Sequence, residues 1–493
     1  MEKTLIEQDS GQPRGAHHEP AAAAVPLIVD LDGTLLKTDL LIESILSLVK
    51  HHPIEALRMP LWLAKGKAHF KREIARRVSL DMGDLPYRKE FLDYLRVQRA
   101  QGRILVLATA SDGEPARQVA DHLKLFDRVM ASDGDVNLAG EAKRDRVVSE
   151  FGEKKFDYAA NGRADVPVWR SARKAIAVNS RPRVLRALEA SADPGLYFQD
   201  RAPGLRAYWN ALRPNQWSKN LLVLAPVLAA HRFLDVDLLA QALVVMVAFC
   251  CCASSGYLFN DLLDLDADRH HPRKRHRPFA SGELPLGYAL AMIPVLLISG
   301  CVLAELVSPL ALAAVAGYAV LTLAYSLHIK RVVVLDVIVL AGLYTLRLVA
   351  GSAAGRIWLS HWLLAFSIFL FLSLALVKRY GELVVMKKTD GNAARARGYE
   401  LSDAELLATQ GTASAYLAVL VLALYLSSDT ASLLYKRLEV LWLLCPLLLC
   451  WLGRIWLMAH RGLIDDDPIQ FATTDWTSRV LVILMLATIV LSL

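Results

Sequence analysis

Apolar and polar positions divide this chain into two unlike parts. Up to about residue 210 charged residues recur every few positions, whereas from there to Leu493 long apolar runs alternate with short polar ones. A chain of 493 residues also exceeds the usual size of one domain. The pattern therefore predicts a water-soluble N-terminal domain followed by a membrane domain.

From Pro26 to about Ala192 the pattern is typical of an α/β domain. Helix-period stretches separate short apolar runs, which predict strands. These runs are VPLIVD at 25–30, RILVLATA at 103–110, FDYAA at 156–160 and KAIAVN at 174–179. The insertion at about 38–100 reads as helices that cap the strand ends. Residues 1–25 lack the apolar core of a signal peptide and predict a disordered tail.

The second part contains segments that approach the roughly 20 apolar residues needed to span a bilayer. We expect about nine of them, at 219–233, 236–258, 285–306, 308–326, 333–353, 360–377, 413–427, 438–458 and 477–493. Residues 193–218 mix Arg, Trp and Tyr with apolar positions, as in a linker at a membrane interface, so the membrane domain is expected at 219–493.

Positive charge predicts the orientation of these segments. The loops 259–284, 327–332 and 378–412 carry most of the Lys and Arg of this part, and such loops usually face the cytoplasm. We therefore expect a multi-pass protein of the inner (plasma) membrane, with its N-terminal domain and active sites in the cytoplasm. The formal charge of +7 is ordinary for such a protein, and no stacking aromatics or nucleic-acid module indicate binding to nucleic acid.

An Asn-Asp-rich segment follows the second apolar run. Asn260, Asp261, Asp264 and Asp268 have spacings that place their oxygens on one helical face if the helix continues. Carboxylates clustered at a membrane rim repel one another unless a cation intervenes. Mg2+ prefers such oxygen ligands together with substrate phosphates, so the segment predicts a diphosphate ligand. A solvated acidic loop would explain the charges but not the spacing or the basic run that follows.

The pattern NDxxDxxxD followed by RPxxSG resembles the first signature of UbiA-type intramembrane transferases, over roughly residues 210–493. That resemblance implies a bundle of nine helices. Four further strings resemble the polyprenyl-phosphate phosphoribosyltransferase branch. They are HPxKxxRP at 271–278, LRPNQWSKN at 212–220, YxxxxK at 325–330 with Asp336 beyond it, and KRxxE at 378–382.

The resemblance implies transfer of 5-phosphoribosyl from phosphoribosyl diphosphate to polyprenyl phosphate, with Mg2+ as the cofactor. Both substrates are anionic, so the site needs cations beyond Mg2+. An arginine inside an apolar segment is costly unless it is paired, which makes Arg347 a functional candidate; any other single charge could equally anchor a helix at the headgroups. The candidate substrate-binding residues are Lys219, Arg273, Lys274, Arg277, Tyr325, Lys330, Asp336, Arg347, Lys378, Arg379 and Glu382.

A second motif, DxDGT, directly follows the first predicted strand. Its Asp30 and Asp32 supply a nucleophile, an acid/base and a Mg2+ site within five positions. The motif resembles the haloacid dehalogenase superfamily, over about residues 26–192. The resemblance implies that Asp30 becomes phosphorylated and that Asp32 transfers the proton.

The same resemblance assigns roles to residues further along the chain. Thr109 would hold the phosphoryl group, Lys143 would neutralise its charge, and the loop from Asn161 to Asp165 would bind the metal. Asn161 departs from the usual aspartate and brings no charge. A degenerate, regulatory or scaffolding domain is therefore the alternative to an active phosphatase.

The fusion of two such domains predicts two successive reactions. The phosphatase would remove the 5-phosphate of the transferase product, as a pathway to an arabinosyl lipid donor requires. The alternatives are a prenyltransferase that moves a polyprenyl group to an aromatic or other small acceptor, and a membrane-anchored phosphatase with a non-catalytic membrane domain.

Overall fold

The computed structural model describes residues 25–189, 194–388, 398–464 and 467–493. The chain forms two compact units, of which the first ends at Ala202 and the second begins at Pro203. The predicted N-terminal tail lies outside the described residues up to position 24, as do positions 389–397 of the basic loop predicted at 378–412.

The described residues of the first unit form one sheet of six parallel strands in the order β3-β2-β1-β4-β5-β6. The strands are β1 (Leu27–Val29), β2 (Leu105–Asp112), β3 (Arg128–Ser132), β4 (Asp157–Ala160), β5 (Ala175–Val178) and β6 (Pro194–Phe198). In this order β1 and β4 are adjacent at the centre. The chain adds β2 and β3 on one side of this pair and β5 and β6 on the other, so the strand order reverses between β1 and β4. Ligands bind at such a point, outside the carboxyl ends of the strands.

Strands β1, β2, β4 and β5 agree with the predicted runs, whereas β3 and β6 were not predicted. Strand β6 lies within the stretch expected to be an interfacial linker. Its Phe198 packs edge-on against Phe91, with 5.2 Å between ring centroids. Part of the predicted linker therefore packs against the core of the first unit.

Helices connect the strands and cover both faces of the sheet, as parallel strands require. They are α1 (Leu40–His51), α2 (Pro53–Ala56), α3 (Met59–Ala64), α4 (Lys67–Ala75), α5 (Lys89–Ala100), α6 (Gly113–Leu123), α7 (Glu141–Phe151), α8 (Val166–Ser171) and α9 (Pro182–Glu189). The buried side chains Leu48, Trp62 and Ile74 give α1 to α4 a small core of their own. Helix α5 instead buries Phe91 and Leu95 against the sheet.

The second unit is helical. Its elements are α10 (Leu205–Ala211), a 3-10 helix (Pro214–Leu224), α11 (Ala225–Ala229), α12 (Val236–Leu263), α13 (Leu265–His270), α14 (Leu286–Glu305), α15 (Pro309–Leu327), α16 (Leu335–Ala354), α17 (His361–Lys388), α18 (Ala404–Leu426), α19 (Asp429–Leu434), α20 (Leu438–Leu441), α21 (Leu444–His460), α22 (Pro468–Thr474) and α23 (Trp476–Ser492). The predicted class, an α/β domain with a helical cap followed by an all-α membrane bundle, is confirmed.

Within the described residues, seven helices are long and apolar enough to cross a membrane, and there are eight if the pair α22 and α23, bent by 87°, counts as one span. The expected count of nine is not confirmed, because segment 219–233 forms part of the 3-10 helix and the five-residue α11. This stretch lies tightly against α16. A Cβ added at Gly351 would come within 1.9 Å of the Val223 carbonyl oxygen.

Candidate functional site

The first candidate site lies at the carboxyl end of β1. Asp30 directly follows the strand and is buried, with 6% of its surface exposed. Its Oδ2 accepts a hydrogen bond from Thr34 Oγ1 at 3.0 Å, and its Oδ1 accepts one from Lys143 Nζ at 2.8 Å. Gly33 turns the chain between these groups with a φ of +72°, a conformation that favours glycine. The DxDGT loop thus holds its first carboxylate against a lysine.

Asp32 connects the sheet with the cap. Its Oδ2 accepts hydrogen bonds from Ser111 Oγ at 2.6 Å and from Thr109 Oγ1 at 3.2 Å. Its Oδ1 accepts one from the backbone N–H of Leu40 at 2.8 Å, where α1 begins. Thr109 lies inside β2, and Ser111, two residues further along the same strand, was not predicted.

Lys143 lies between two carboxylates. In addition to Asp30, its Nζ donates to Asp165 Oδ1 at 3.3 Å and to the Tyr158 hydroxyl at 3.1 Å. The Tyr158 hydroxyl itself donates to Asp165 Oδ1 at 2.7 Å, and the Gly162 N–H donates to Asp165 Oδ2 at 3.0 Å. Both oxygens of Asp165 are therefore engaged by the protein, and sequence reasoning missed Tyr158.

Burial shifts the ionisation of these groups. It raises the pKa of Asp30 to about 7, even though the positive charge of Lys143 opposes the shift. Burial and then the nearby charge of Asp39 raise the pKa of Asp32 above its usual value, which suits a carboxylic acid that donates a proton. Burial alone would lower the pKa of Lys143, but Asp30 and Asp165 together raise it, so this lysine stays charged.

The loop from Asn161 to Asp165, predicted to bind the metal, lies beside the same turn. A Cβ built on Gly33 would lie 2.2 Å from Asn161 Nδ2, so the Asn161 amide packs directly on the DxDGT loop. Oxygen donors at Asp30 and Asn161 fit a divalent cation, which prefers carboxylate and amide oxygens. Mg2+ bound there would neutralise charge on a phosphoryl group. Because Asp165 is engaged by Tyr158 and Gly162, it fits a supporting role better than direct ligation.

Lys71 also reaches this site, and the sequence did not single it out. It extends from α4 of the cap and donates to the Ala110 carbonyl oxygen at 2.5 Å and to Asn137 Oδ1 at 2.8 Å. Burial lowers the pKa of Lys71, and the charge of Asp32 opposes that shift. The cap thus brings a second cation to the carboxyl end of β2.

The second candidate site is a cavity of 830 Å3 in the helical unit. Most of the predicted metal and substrate residues line it. They are Lys219, Asn260, Asp264, Asp268, Arg273, Lys274, Arg277, Tyr325, Lys330, Arg347, Lys378 and Glu382. Three predicted residues, Asp261, Asp336 and Arg379, are buried next to these and do not line the cavity.

The acidic segment lies where α12 ends and α13 begins, so it is not one continuous helix. Arg277 bridges two of its carboxylates, at 2.5 Å from Asp268 Oδ2 and 3.2 Å from Asp261 Oδ1. Lys330 Nζ lies 2.9 and 3.0 Å from the two Asp264 oxygens and 3.5 Å from Asn260 Oδ1. The Asp261 and Asp268 oxygens therefore lie close enough to contact one cation together, and so do those of Asp264 and Asn260. All of these donors are oxygens, which fits Mg2+.

Asp336 and Arg379 form a buried ion pair behind the cavity wall. Arg379 Nε donates to Asp336 Oδ2 at 2.5 Å, and its two other nitrogens donate to Glu382 at 2.6 Å and to the Tyr325 hydroxyl at 2.7 Å. The hydroxyl of Tyr399 donates to Asp336 Oδ1 at 2.7 Å. Because Tyr325 and Glu382 line the cavity, the ion pair of Asp336 and Arg379 positions residues of the cavity wall. Direct contact of Asp336 or Arg379 with substrate stays a prediction.

Arg347 lies inside the bundle and is 3% exposed. Its guanidinium donates to Asn220 Oδ1 at 2.8 Å, to the Leu343 carbonyl oxygen at 2.5 Å and to the Tyr318 hydroxyl at 3.1 Å. The rings of Tyr318 and Tyr344 lie 4.8 and 5.4 Å from the guanidinium carbon. In the described part of the chain no carboxylate pairs with this arginine, so its charge is available to an anion in the cavity.

Sequence reasoning missed two charged residues of the cavity wall. Arg213 forms an ion pair with Asp261, and Asp467 forms one with Lys219. The string LRPNQWSKN contains Arg213, but nothing in its pattern indicates a partner 48 positions away. For the pair of Lys219 and Asp467, the run of three consecutive aspartates that ends at Asp467 was a signal that sequence reasoning did not use. The two residues lie 248 positions apart.

A family comparison identifies the helical unit. Residues 221–489 match the UbiA prenyltransferase family. The chain belongs to this family. It is therefore a multi-pass membrane protein with the helical fold of UbiA enzymes, as the NDxxDxxxD motif predicted, and with prenyltransferase-type chemistry.

Relatives of this UbiA protein differ in how much of the chain they match. A protein named uncharacterized protein y4nM, from Sinorhizobium fredii, is 35% identical over 92% of this chain and 88% of its own length. The nodulation protein NoeC of Azorhizobium caulinodans is 36% identical over 56% of this chain and 90% of its own length. The decaprenyl-phosphate phosphoribosyltransferase of Mycolicibacterium smegmatis is 39% identical over 183 residues, 36% of this chain and 58% of its own length.

Solved structures match each unit separately. A UbiA homolog from Archaeoglobus fulgidus bound to GPP and Mg2+ covers 57% of this chain and 99% of that chain, at 18% identity and a TM-score of 0.44. A substrate-bound phosphoserine phosphatase complex covers 38% of this chain and 97% of that chain, at 12% identity and a TM-score of 0.27.

Proposed function

We propose that the membrane unit transfers a 5-phosphoribosyl group from phosphoribosyl diphosphate to polyprenyl phosphate. The observation that carries this proposal is the charge of the cavity lining. Among the residues that the structure describes, eight cationic side chains line the cavity, against four carboxylates, Asp264, Asp268, Glu382 and Asp467. The cations are Arg213, Lys219, Arg273, Lys274, Arg277, Lys330, Arg347 and Lys378.

The excess of positive charge matches the proposed substrates. A prenyl diphosphate brings one anionic group, which Mg2+ bound at the acidic segment would neutralise in part. Phosphoribosyl diphosphate adds a 5-phosphate, and the lipid acceptor adds a third phosphate. Cations apart from the acidic segment, such as Lys378 and Arg347, which has no carboxylate partner among the described residues, would supply the additional charge. The phosphoribosyltransferases among the relatives support the same choice.

The reaction needs no strong base in the protein. The bond between C1 of the ribose and the diphosphate breaks, and the diphosphate leaves with the electron pair. A phosphate oxygen of the acceptor then forms the new bond to C1. The lipid phosphate is already anionic near neutral pH, so no proton must be removed. Mg2+ at Asn260, Asp261, Asp264 and Asp268 would act as a Lewis acid on the leaving diphosphate.

We further propose that the N-terminal unit removes the 5-phosphate of the lipid product. Asp30 attacks phosphorus, an Asp30–phosphorus bond forms, and the ribose 5-oxygen leaves with a proton from Asp32. Water then attacks this phosphorus while Asp32 takes up a proton of the water, the bond between the Asp30 oxygen and phosphorus breaks, and inorganic phosphate is released. The contacts that support this order are Lys143 on Asp30 and the hydroxyls of Thr109 and Ser111 on Asp32. Both sites would face the cytoplasm.

Substitutions in each unit test the two steps separately. With phosphoribosyl diphosphate and decaprenyl phosphate as substrates, Asp264→Asn should abolish the lipid product. The exposed Asp266 on the same segment provides a matched control, Asp266→Asn, which should leave product formation unchanged. Asp30→Asn should accumulate a lipid that keeps its 5-phosphate. If Asp264→Asn forms product normally, the transferase proposal is wrong; if wild type and Asp30→Asn give the same lipid, the phosphatase proposal is wrong.

A further inference from the structure

Two arginines share one oxygen of the acidic segment. Asp261 lies in the last turn of α12 and is 4% exposed. Arg213 and Arg277 both donate to its Oδ1, and Arg277 also donates to Asp268 Oδ2 at 2.5 Å. Within the residues that the structure describes, Asp261 Oδ2 has no hydrogen-bond partner. A metal ion could therefore bind Asp261 only next to two fixed positive charges.

The backbone holds Arg213 in this position. It precedes the 3-10 helix with a φ of +54°, which few residues other than glycine adopt. Its guanidinium also lies over the ring of Tyr257, 5.4 Å from the ring centroid. The side chain is 21% exposed and lines the cavity, so a bound anion can reach it. The backbone, the Tyr257 ring and the Asp261 carboxylate therefore hold Arg213 in place in the cavity wall.

Charge decides what this arrangement binds. Arg213, Arg277 and Lys330 already balance the carboxylates of Asp261, Asp264 and Asp268. Mg2+ alone would add two positive charges to a balanced and partly buried cluster, where charges interact strongly because the effective dielectric is low. A diphosphate that arrives with Mg2+ brings the missing negative charge and gives the arginines new oxygen acceptors. Arginine suits this exchange because its fork of N–H donors matches phosphate as well as carboxylate.

We propose that Arg213 and Arg277 couple the binding of Mg2+ to the binding of the diphosphate. The two arginines oppose the metal when it arrives alone and hold the Mg2+–diphosphate complex when both arrive together. This proposal rests on the function above, because it takes the acidic segment as the site of a metal-bound diphosphate. It adds a role for Arg213 and an obligatory partnership between donor and metal.

Calorimetric titration of the purified full chain in lipid nanodiscs tests the coupling. The titrants are Mg2+ alone and the preformed complex of Mg2+ with inorganic diphosphate. We expect the wild type to bind the complex at least about tenfold more tightly than Mg2+ alone. The reason is that the arginines can donate charge-assisted hydrogen bonds to the diphosphate but not to Mg2+. Arg213→Ala should move the two affinities in opposite directions, with Mg2+ alone binding more tightly and the complex more weakly, each by about tenfold.

Two further variants complete the experiment. Arg213→Lys keeps the charge without the fork of N–H donors, so it should leave the affinity for Mg2+ alone unchanged and weaken binding of the complex less than Arg213→Ala does. The exposed Arg206 on α10 serves as the matched control, with Arg206→Ala expected to change neither affinity. The coupling is wrong if Arg213→Ala changes neither affinity or weakens both equally, while the wild type still binds the complex. A wild-type chain that binds neither titrant contradicts the proposed function itself, and with it the coupling.

Discussion

Replacing Arg347 by methionine should separate the stability of the bundle from its activity. Arg347 is buried without a carboxylate partner among the described residues, so its removal relieves a desolvation cost of several kcal/mol. The same change leaves the Asn220 and Leu343 oxygens without this donor, at about 1 to 3 kcal/mol each. The two effects nearly cancel, and we expect the melting temperature to move by less than about 3 °C.

Activity should respond much more strongly to Arg347→Met. If the guanidinium binds a substrate phosphate, one charge-assisted interaction of about 1.5 to 3 kcal/mol is lost. That loss corresponds to a KM about ten- to hundredfold higher for one of the two anionic substrates. Steady-state transferase kinetics at varied donor and at varied acceptor would show which substrate is affected.

Arg454 provides the matched control. It also lies in a candidate membrane span, but it has a carboxylate partner, with Nη2 at 2.9 Å from Asp475 Oδ1, and it does not line the cavity. Arg454→Met should lower the melting temperature and leave both KM values unchanged. Unchanged KM values in Arg347→Met, or a large fall in its melting temperature, would show that Arg347 has a structural role and would refute the assignment.

Three further substitutions test the other clusters. Lys143→Met should lower phosphatase turnover at least about hundredfold, because Asp30 loses the cation that compensates its buried charge, and lipid phosphoribosylation should not change in the same assay. Lys71→Ala should raise the phosphatase KM about tenfold with little change in kcat, whereas the exposed Lys67→Ala on the same helix should change neither; equal effects of both would contradict a substrate contact. Asp336→Ala should destabilise the bundle by about 1 to 3 kcal/mol in a thermal unfolding assay, because Arg379 Nε and the Tyr399 hydroxyl lose a buried acceptor while Glu382 still pairs with Arg379, and an unchanged melting temperature would contradict that reading.

The sequence predicted the features that short segments encode. The DxDGT loop occupies five consecutive positions and the acidic segment occupies nine, so their carboxylates stay near one another even though the acidic segment is not one continuous helix. The alternation of apolar and polar runs likewise predicted two units and four of the six strands. Lys143 and Thr109 could be assigned only through the resemblance to a known superfamily, and the structure brings them to Asp30 and Asp32.

Features that depend on distant contacts escaped prediction. Lys71 contacts Ala110 across 39 positions, and its helix shows no pattern that distinguishes it from neighbouring lysines. Hydropathy also misjudged segment 219–233, because apolar composition does not reveal the close contact between Val223 and Gly351. Strand β6 was missed for a related reason, since the packing partner of Phe198 lies in α5, more than a hundred positions earlier.

The donor is the central claim, and the fate of its ribose tests it most directly. Purified protein in nanodiscs is incubated with ribose-labelled phosphoribosyl diphosphate, geranylgeranyl diphosphate, decaprenyl phosphate and Mg2+, and the lipid phase is analysed by mass spectrometry. We predict that the label moves into a decaprenyl-phosphate product and that inorganic diphosphate is released, while geranylgeranyl diphosphate stays intact. Label that remains in the aqueous phase while geranylgeranyl diphosphate is consumed would contradict the proposed function.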